Sequence, residues 1–274
     1  MSKTVMISKV VSAGASAWCL VASFGVSSAS AAGAAGQAPA PTALPEALEV
    51  RLAESAAPAN IRSGAGLYLY KNGVGLVRFR VSKNGFNCFV ARTNIQARTF
   101  EYRDDLLIPI CYDAVGSKYI LPTWLLAEEL RAKGLPADKL LAAVKRKVVV
   151  PPNPGISPML SPILRTGNPG PPILNYPHYM FYAPGMKNDE ILGEEHSHVH
   201  HWVDNDYMFD ARNAYLMHAV GVAERASINR EFKDLIRDLC AIRKEFCLDT
   251  KSVDSGLRTE LQKALKQVDE MESR

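Results

Sequence analysis

The residues best suited to chemistry lie in one short tract, His196-Ser-His-Val-His-His201, preceded by Glu194 and Glu195. In extended backbone, alternate residues share a face, so His196, His198 and His200 project together. Three imidazoles on one face can bind Zn²⁺, Cu²⁺ or Ni²⁺. Zinc or copper is therefore the cofactor this pattern suggests, with His178 or Glu195 completing the shell. The plainer reading is a solvated polar loop that picks up metal as any histidine-rich tract does. His178 lies within Asn175-Tyr-Pro-His-Tyr-Met-Phe-Tyr182, and its aromatic neighbours predict partial burial. Such a histidine can be a general base or a ligand, but is more often a core residue bonded to a carbonyl. Asp113, at a strand end, reads equally as a turn residue and as an acid.

The chain has no G-x-S-x-G elbow, no Walker or Rossmann glycine pattern, no H-E-x-x-H and no C-x-x-C. No catalytic residue is assigned. The expected function is a non-catalytic binding or envelope-associated protein. The alternative is a metal-binding protein or metal-dependent hydrolase built on His196–His201.

The N-terminus sets the compartment. Lys3 and Lys9 precede an uncharged stretch from Val10 to Val26, followed by Ser28-Ala-Ser-Ala-Ala32. That order of positive, apolar and small-residue segments predicts a secretory signal peptide over 1–31, cleaved near Ala31. The stretch is too short and too rich in Ser and Gly for a spanning helix. A periplasmic or secreted protein is expected, with no transmembrane segment after cleavage. Residues 1–31 hold two lysines and no acid, so net charge falls from +4 to +2 on maturation. That is too near neutral to indicate a nucleic-acid partner.

Cleavage removes Cys19 and leaves Cys88, Cys111, Cys240 and Cys247, an even count suited to disulfides in an oxidising compartment. Cys88 and Cys111 each lie in a strand-like run, and their pairing is favoured. Cys240 and Cys247 stand in a helical stretch, where seven residues would separate them by about 10 Å along the axis. That bond requires the helix to bend or end between them.

The positioning elements follow from period and turn chemistry. Residues 32–43 read as a disordered Ala/Pro/Gly tether. Pro45–Ala56 reads as a helix. From Gly66, three apolar runs separated by Asn72-Gly73 and Asn84-Gly85 predict an antiparallel meander over 66–90. Leu106–Tyr112 is a fourth strand whose Pro109 suits an edge or bulge. Pro122–Val144 is helical, broken at Gly134-Leu-Pro136, and 150–175 reads as a long irregular loop. Tyr179–Tyr182 and Tyr215–Val222 are short strands, with a polar irregular stretch over 185–213 between them. Beyond them, Ile228, Phe232, Leu235, Ile236, Leu239, Ile242 and Phe246 form an apolar stripe. Leu257, Leu261, Leu265 and Val268 mark a further helix. The fold class is α+β: an antiparallel sheet starting with the 66–90 meander, flanking helices and a C-terminal helical hairpin. The core domain spans 44–222 and a helical extension spans 223–274, the latter a candidate surface for a protein partner.

Several blocks together resemble a family of uncharacterised exported bacterial proteins. They are Ser55-Ala-Ala-Pro58, Asn84-Gly-Phe-Asn-Cys88, Pro109-Ile-Cys-Tyr112, Met159-Leu-Ser161 and Pro177-His-Tyr-Met-Phe181. The chain departs from that pattern at Ser82-Lys83, where Gly-Thr is usual. The resemblance covers roughly 47–185 and brings no activity. It implies that His178 belongs to the shared core, while the histidine tract and helical tail lie outside it.

Overall fold

The computed structural model describes residues 40–95, 102–166, 177–182, 201–203 and 215–248. The signal and tether region up to residue 39, the tract His196–His200 and residues 249–274 lie outside the described residues. The architecture is α+β, with two four-stranded sheets.

Helix α1 (Glu46–Glu54) and the short α2 (Ala59–Arg62) lead into β1 (Gly66–Lys71), β2 (Gly75–Arg80), β3 (Asn87–Ala91) and β4 (Ile108–Tyr112). The first hairpin forms as its Asn72-Gly73 turn predicts, with β1 antiparallel to β2. The third strand does not complete a meander. The sheet order is β2-β1-β3-β4, and β3 runs parallel to β1 through Gly66↔Asn87 and Leu67↔Cys88. The reason lies in the side chains. Leu67, Tyr68 and Leu69 are all buried, which suits β1 to a central position with both faces covered. Strand β2 alternates Arg78 and Arg80 with exposed Phe79, which suits an edge. The chain leaving β2 therefore passes around the start of β1 to reach its other side. Gly66 permits that crossing, because a Cβ there would meet Ser82 N at 2.9 Å and Arg80 O at 3.1 Å. Asn84 fixes the crossing turn, accepting from Phe86 N–H (3.1 Å) and donating to the Ile61 carbonyl (2.7 Å).

The first sheet is covered on both faces. Tyr68, Phe89, Ile110 and Tyr112 pack on one side beneath α3 (Ala114–Tyr119), α4 (Leu121–Ala132) and α5 (Ala137–Lys145), with Trp124 fully buried among them. Leu67, Cys88, Val90 and Cys111 pack on the other side against Leu48 and Leu52 of α1.

The hairpin also seats α4. Gly73 (φ 73°) has open space around it, whereas Gly75 (φ 96°) abuts the α4 backbone, where a Cβ would lie 2.7 Å from Glu128 C and Glu129 N. Gly73→Ala is expected to cost only the backbone penalty, about 1–2 kcal/mol. Gly75→Ala adds a clash that must displace a helix, and its expected cost is at least about 3 kcal/mol. Urea midpoints of the two variants check this; equal losses would remove the helix contact from the account.

The second sheet contains β5 (Ile156–Met159), β6 (His178–Tyr182), β7 (His201–Val203) and β8 (Tyr215–Ala219) in the order β5-β6-β8-β7, antiparallel throughout. Strand β5 forms inside the stretch expected to be an irregular loop, and β7 inside the stretch expected to be polar and irregular. Strand β4 is the edge of the first sheet, as Pro109 requires, and it seams the two sheets together. Leu107 and Arg165 exchange backbone hydrogen bonds (3.2 and 2.7 Å), and Asp113 N–H donates to the Ile156 carbonyl (3.2 Å). Pro109 shares the outward parity of Leu107 and Asp113 and brings no N–H to that edge.

After β8, helices α6 (Val222–Glu231) and α7 (Lys233–Ile242) meet at Phe232, and a 3₁₀ turn follows over Lys244–Phe246. Leu235, Ile236 and Leu239 of α7, with Phe246, join the buried cluster of α1 and β3. This part of the extension is thus an element of the body, and its apolar stripe is covered by its own chain except at Ile242, which is exposed. Both cysteine pairs close. Cys88 and Cys111 stand directly opposite each other on β3 and β4. Cys240 bonds Cys247 because α7 ends at Ile242 and the turn carries the chain back.

Candidate functional site

Of the sequence-predicted histidines, His178 alone lies among the described residues. His178 lies on the inner face of the second sheet, 2 % exposed, at register positions opposite Met159 and Ala219. It is a core residue, the plainer of the two readings its aromatic surroundings allowed. His196, His198 and His200 fall outside the described residues. Asp113 is a turn residue: its Oδ1 caps α3 by accepting from Gly116 N–H (2.8 Å), and its Oδ2 accepts from Ile156 N–H (2.8 Å). Among the described residues, no group of three or more His, Cys, Asp or Glu is placed to hold a metal ion.

The structure brings together charged groups that sequence reasoning missed. Glu49 of α1, Arg92 after β3, and Glu128 and Arg131 of α4 are all buried. Glu128 Oε1 accepts from the N–H groups of Arg92 (2.7 Å) and Thr93 (2.8 Å). Arg131 donates to the carbonyls of Arg92 and Arg103. Glu49 Oε1 accepts from Tyr70 N–H (2.8 Å), and its Oε2 pairs with Arg92 (3.3 Å). The carboxylates and guanidinium groups thus clamp backbone where strands end and regular pairing stops. Burial pushes the Glu128 carboxyl up to about 7, against the pull of Arg131 and the Arg92 N–H. Its Oε2 has no hydrogen-bond partner among the described residues, so that oxygen can carry the proton. Burial likewise raises Glu49. A signal existed in the sequence. Leu121, Trp124, Glu128 and Arg131 follow the helical period, which puts both charges on the buried stripe of α4.

A second charged group faces solvent. Tyr102, Arg103, Asp104, Asp105, Arg165, Arg243 and Glu245 line an open cleft of about 450 Å³. Asp105 is its anchor: Arg103 binds both carboxylate oxygens (2.9 and 3.1 Å) and Arg165 binds Oδ2 (2.8 Å). Arg243 pairs with Asp104 (2.9 Å) and Glu245 (3.2 Å) and lies over Phe246. Burial pushes Asp105 up, but the hydrogen bonds from Arg103 and Arg165 outweigh it and hold the carboxyl at about 2. The cleft is assembled from segments 60 and 140 residues apart in sequence, and no local pattern marks it.

These two groups differ in what they can do. Glu128 has a proton affinity suited to acid–base work, but it is fully buried and its Oε1 is committed to backbone. Asp105 faces a cleft, but it stays ionised near neutral pH and its oxygens are held by arginines. Neither carboxylate therefore combines proton affinity with access to a solute; the solvent-facing groups of the cleft are Asp104, Arg243 and Glu245. What the cleft offers is charge-balanced, bidentate hydrogen bonding, the chemistry of recognition.

No protein-family model matches the chain. No curated protein matches it, and no solved structure matches its fold. The fold and cleft define an α+β, disulfide-containing protein, and its functional reading rests on its own geometry.

Proposed function

We propose that the chain is an exported, non-catalytic binding or envelope-associated protein, working in the periplasm or outside the cell. The observation that carries this reading is the pairing of all four cysteines between residues 40 and 248. Disulfides form and persist in oxidising compartments and are rare in the cytosol. The signal pattern over 1–31 agrees, as does the resemblance to exported proteins. No helix among the described residues is long and apolar enough to cross a membrane. The open arginine–carboxylate cleft supports binding, because Arg243, paired with the exposed Asp104 and Glu245, can exchange partners with a polar ligand.

The test is the mass and thiol content of the protein recovered from fractionated bacterial cells. A chain beginning near residue 32, found in the periplasm or medium and alkylated only after reduction, is the expected result. A full-length cytoplasmic chain with all five cysteines reactive would overturn it.

A further inference from the structure

Helix α5 and the turn after it concentrate positive charge. Residues 133–150 hold Lys133, Lys139, Lys145, Arg146 and Lys147 against one acid, Asp138, five charges less one, or +4. The chain from residue 32 carries +2 in all, so the remainder of it is net negative. Overall charge conceals an asymmetry of that size, which marks one surface. Packing turns the charges outward. Leu140 and Val144 are the residues that α5 buries in the core. Lys139, Lys145, Arg146 and Lys147 are exposed, and none of their side chains makes an ion pair or hydrogen bond among the described residues. Lys133, by contrast, is paired with Glu129. Lys139 and Arg146 are seven residues apart, about two helical turns, and so share a flank. A helix C-terminus favours cations, which accounts for those in the last turn but not for Lys139. Nor does it account for Val149, which is 51 % exposed two residues after Lys147, between the half-buried Val148 and Val150.

We infer that the end of α5 and the valine run after it form a docking surface for an anionic phospholipid bilayer. Interfacial binding has two parts, cations set against lipid phosphates and apolar side chains entering the boundary with the acyl chains. The four unpaired cations supply the first, and Val149 supplies the second. The valine favours a bilayer over a soluble polyanion, which would engage the cations alone. Bases of a single-stranded nucleic acid would stack on aromatic side chains, and residues 133–150 contain none. This surface gives the envelope association proposed above a partner, and which membrane it meets in the cell rests on that reading. Vesicle binding is measured on purified protein and stands or falls independently of where the chain is found.

The test is co-sedimentation of the protein, as purified from cells, with vesicles of phosphatidylglycerol and phosphatidylcholine in equal parts at low salt. Binding is expected there, and little to phosphatidylcholine alone. Near an anionic surface each basic residue contributes a factor of about five, so K145Q, R146Q and K147Q together should weaken binding about 100-fold. K71Q, K83Q and K233Q remove the same charge from exposed positions elsewhere and should leave binding nearly unchanged. V149S should weaken it several-fold at constant charge. Circular dichroism and melting verify that each variant folds. Equal losses in the two triple variants would overturn the proposal, as would equal binding to phosphatidylcholine alone. No effect of V149S, with binding to soluble polyglutamate instead of vesicles, would assign the patch to an acidic protein and overturn it as well.

Discussion

Glu128→Ala is expected to lower the stability of the folded chain by about 3–5 kcal/mol, the cost of removing one partner from a buried ionic group. The mechanism is specific. Glu128 Oε1 accepts two backbone N–H bonds where β3 ends, and its charge offsets Arg92 and Arg131 in the same interior. Alanine strands both N–H groups and leaves one buried carboxylate, Glu49, to offset Arg92 and Arg131. Glu128→Gln keeps a carbonyl oxygen at that point and should lose less. The pair also separates the structural role from the titration. Glu128 titrates at about 7 when folded, against 4.5 for an ordinary glutamate. The folded state therefore holds the proton more tightly. This contribution is fully present below about pH 4.5 and is lost as pH rises through about 7, a swing of about 3 kcal/mol. Asp105 acts in the other direction. Held at about 2 against an ordinary 3.8, it stabilises above pH 3.8, and that is lost as pH falls towards 2. Urea midpoints should rise from about pH 8 to about pH 5 and fall again below about pH 4. In Glu128→Gln the alkaline limb should flatten while the acid limb stays. An unchanged alkaline limb would assign that dependence to another group, of which Glu49 is the first candidate.

The second large effect concerns the cross-strand disulfide. Replacing Cys88 and Cys111 together by alanine is expected to cost about 3 kcal/mol, from the loop of 23 residues that the bond closes. The Cys240–Cys247 bond closes a separation of seven, and its double replacement should cost about 2 kcal/mol. Burial sharpens the contrast. Cys88 and Cys111 are completely buried beneath α1, whereas Cys240 and Cys247 are half-exposed at the end of α7. Reductant should therefore open Cys240–Cys247 first, and mass spectrometry of alkylated intermediates reads the order directly. Thermal unfolding of the two double variants gives the ranking. A larger loss from the Cys240–Cys247 pair would contradict the account based on loop length and burial.

Much of this fold is legible because its determinants are local. Asn72-Gly73 and Asn84-Gly85 turn the chain whatever surrounds them, and Gly134-Leu-Pro136 stops α4 from running into α5. Period distinguishes the strands over 66–91 from the helices after Leu121, and alternating inward residues on β3 and β4 make Cys88–Cys111 the natural pair. Tertiary structure decided what depends on choice among partners. Two Asn-Gly turns permit a meander, but only the burial of β1 over Gly66–Leu69 beside the arginine-bearing β2 selects the order β2-β1-β3-β4. Strands of three or four residues, such as β5 and β7, have no pattern long enough to read, and they exist through the ladders they join. The buried charges are the same case. Glu128 and Glu129 are adjacent and chemically alike, yet one clamps the end of β3 while the other pairs with Lys133 at the surface. The sequence by itself determined the helices, the longer strands, the turns and the cysteine pair Cys88–Cys111. Only the tertiary structure decided which strands meet, which charges are buried and where a cleft opens, because those energies arise between residues far apart in the chain.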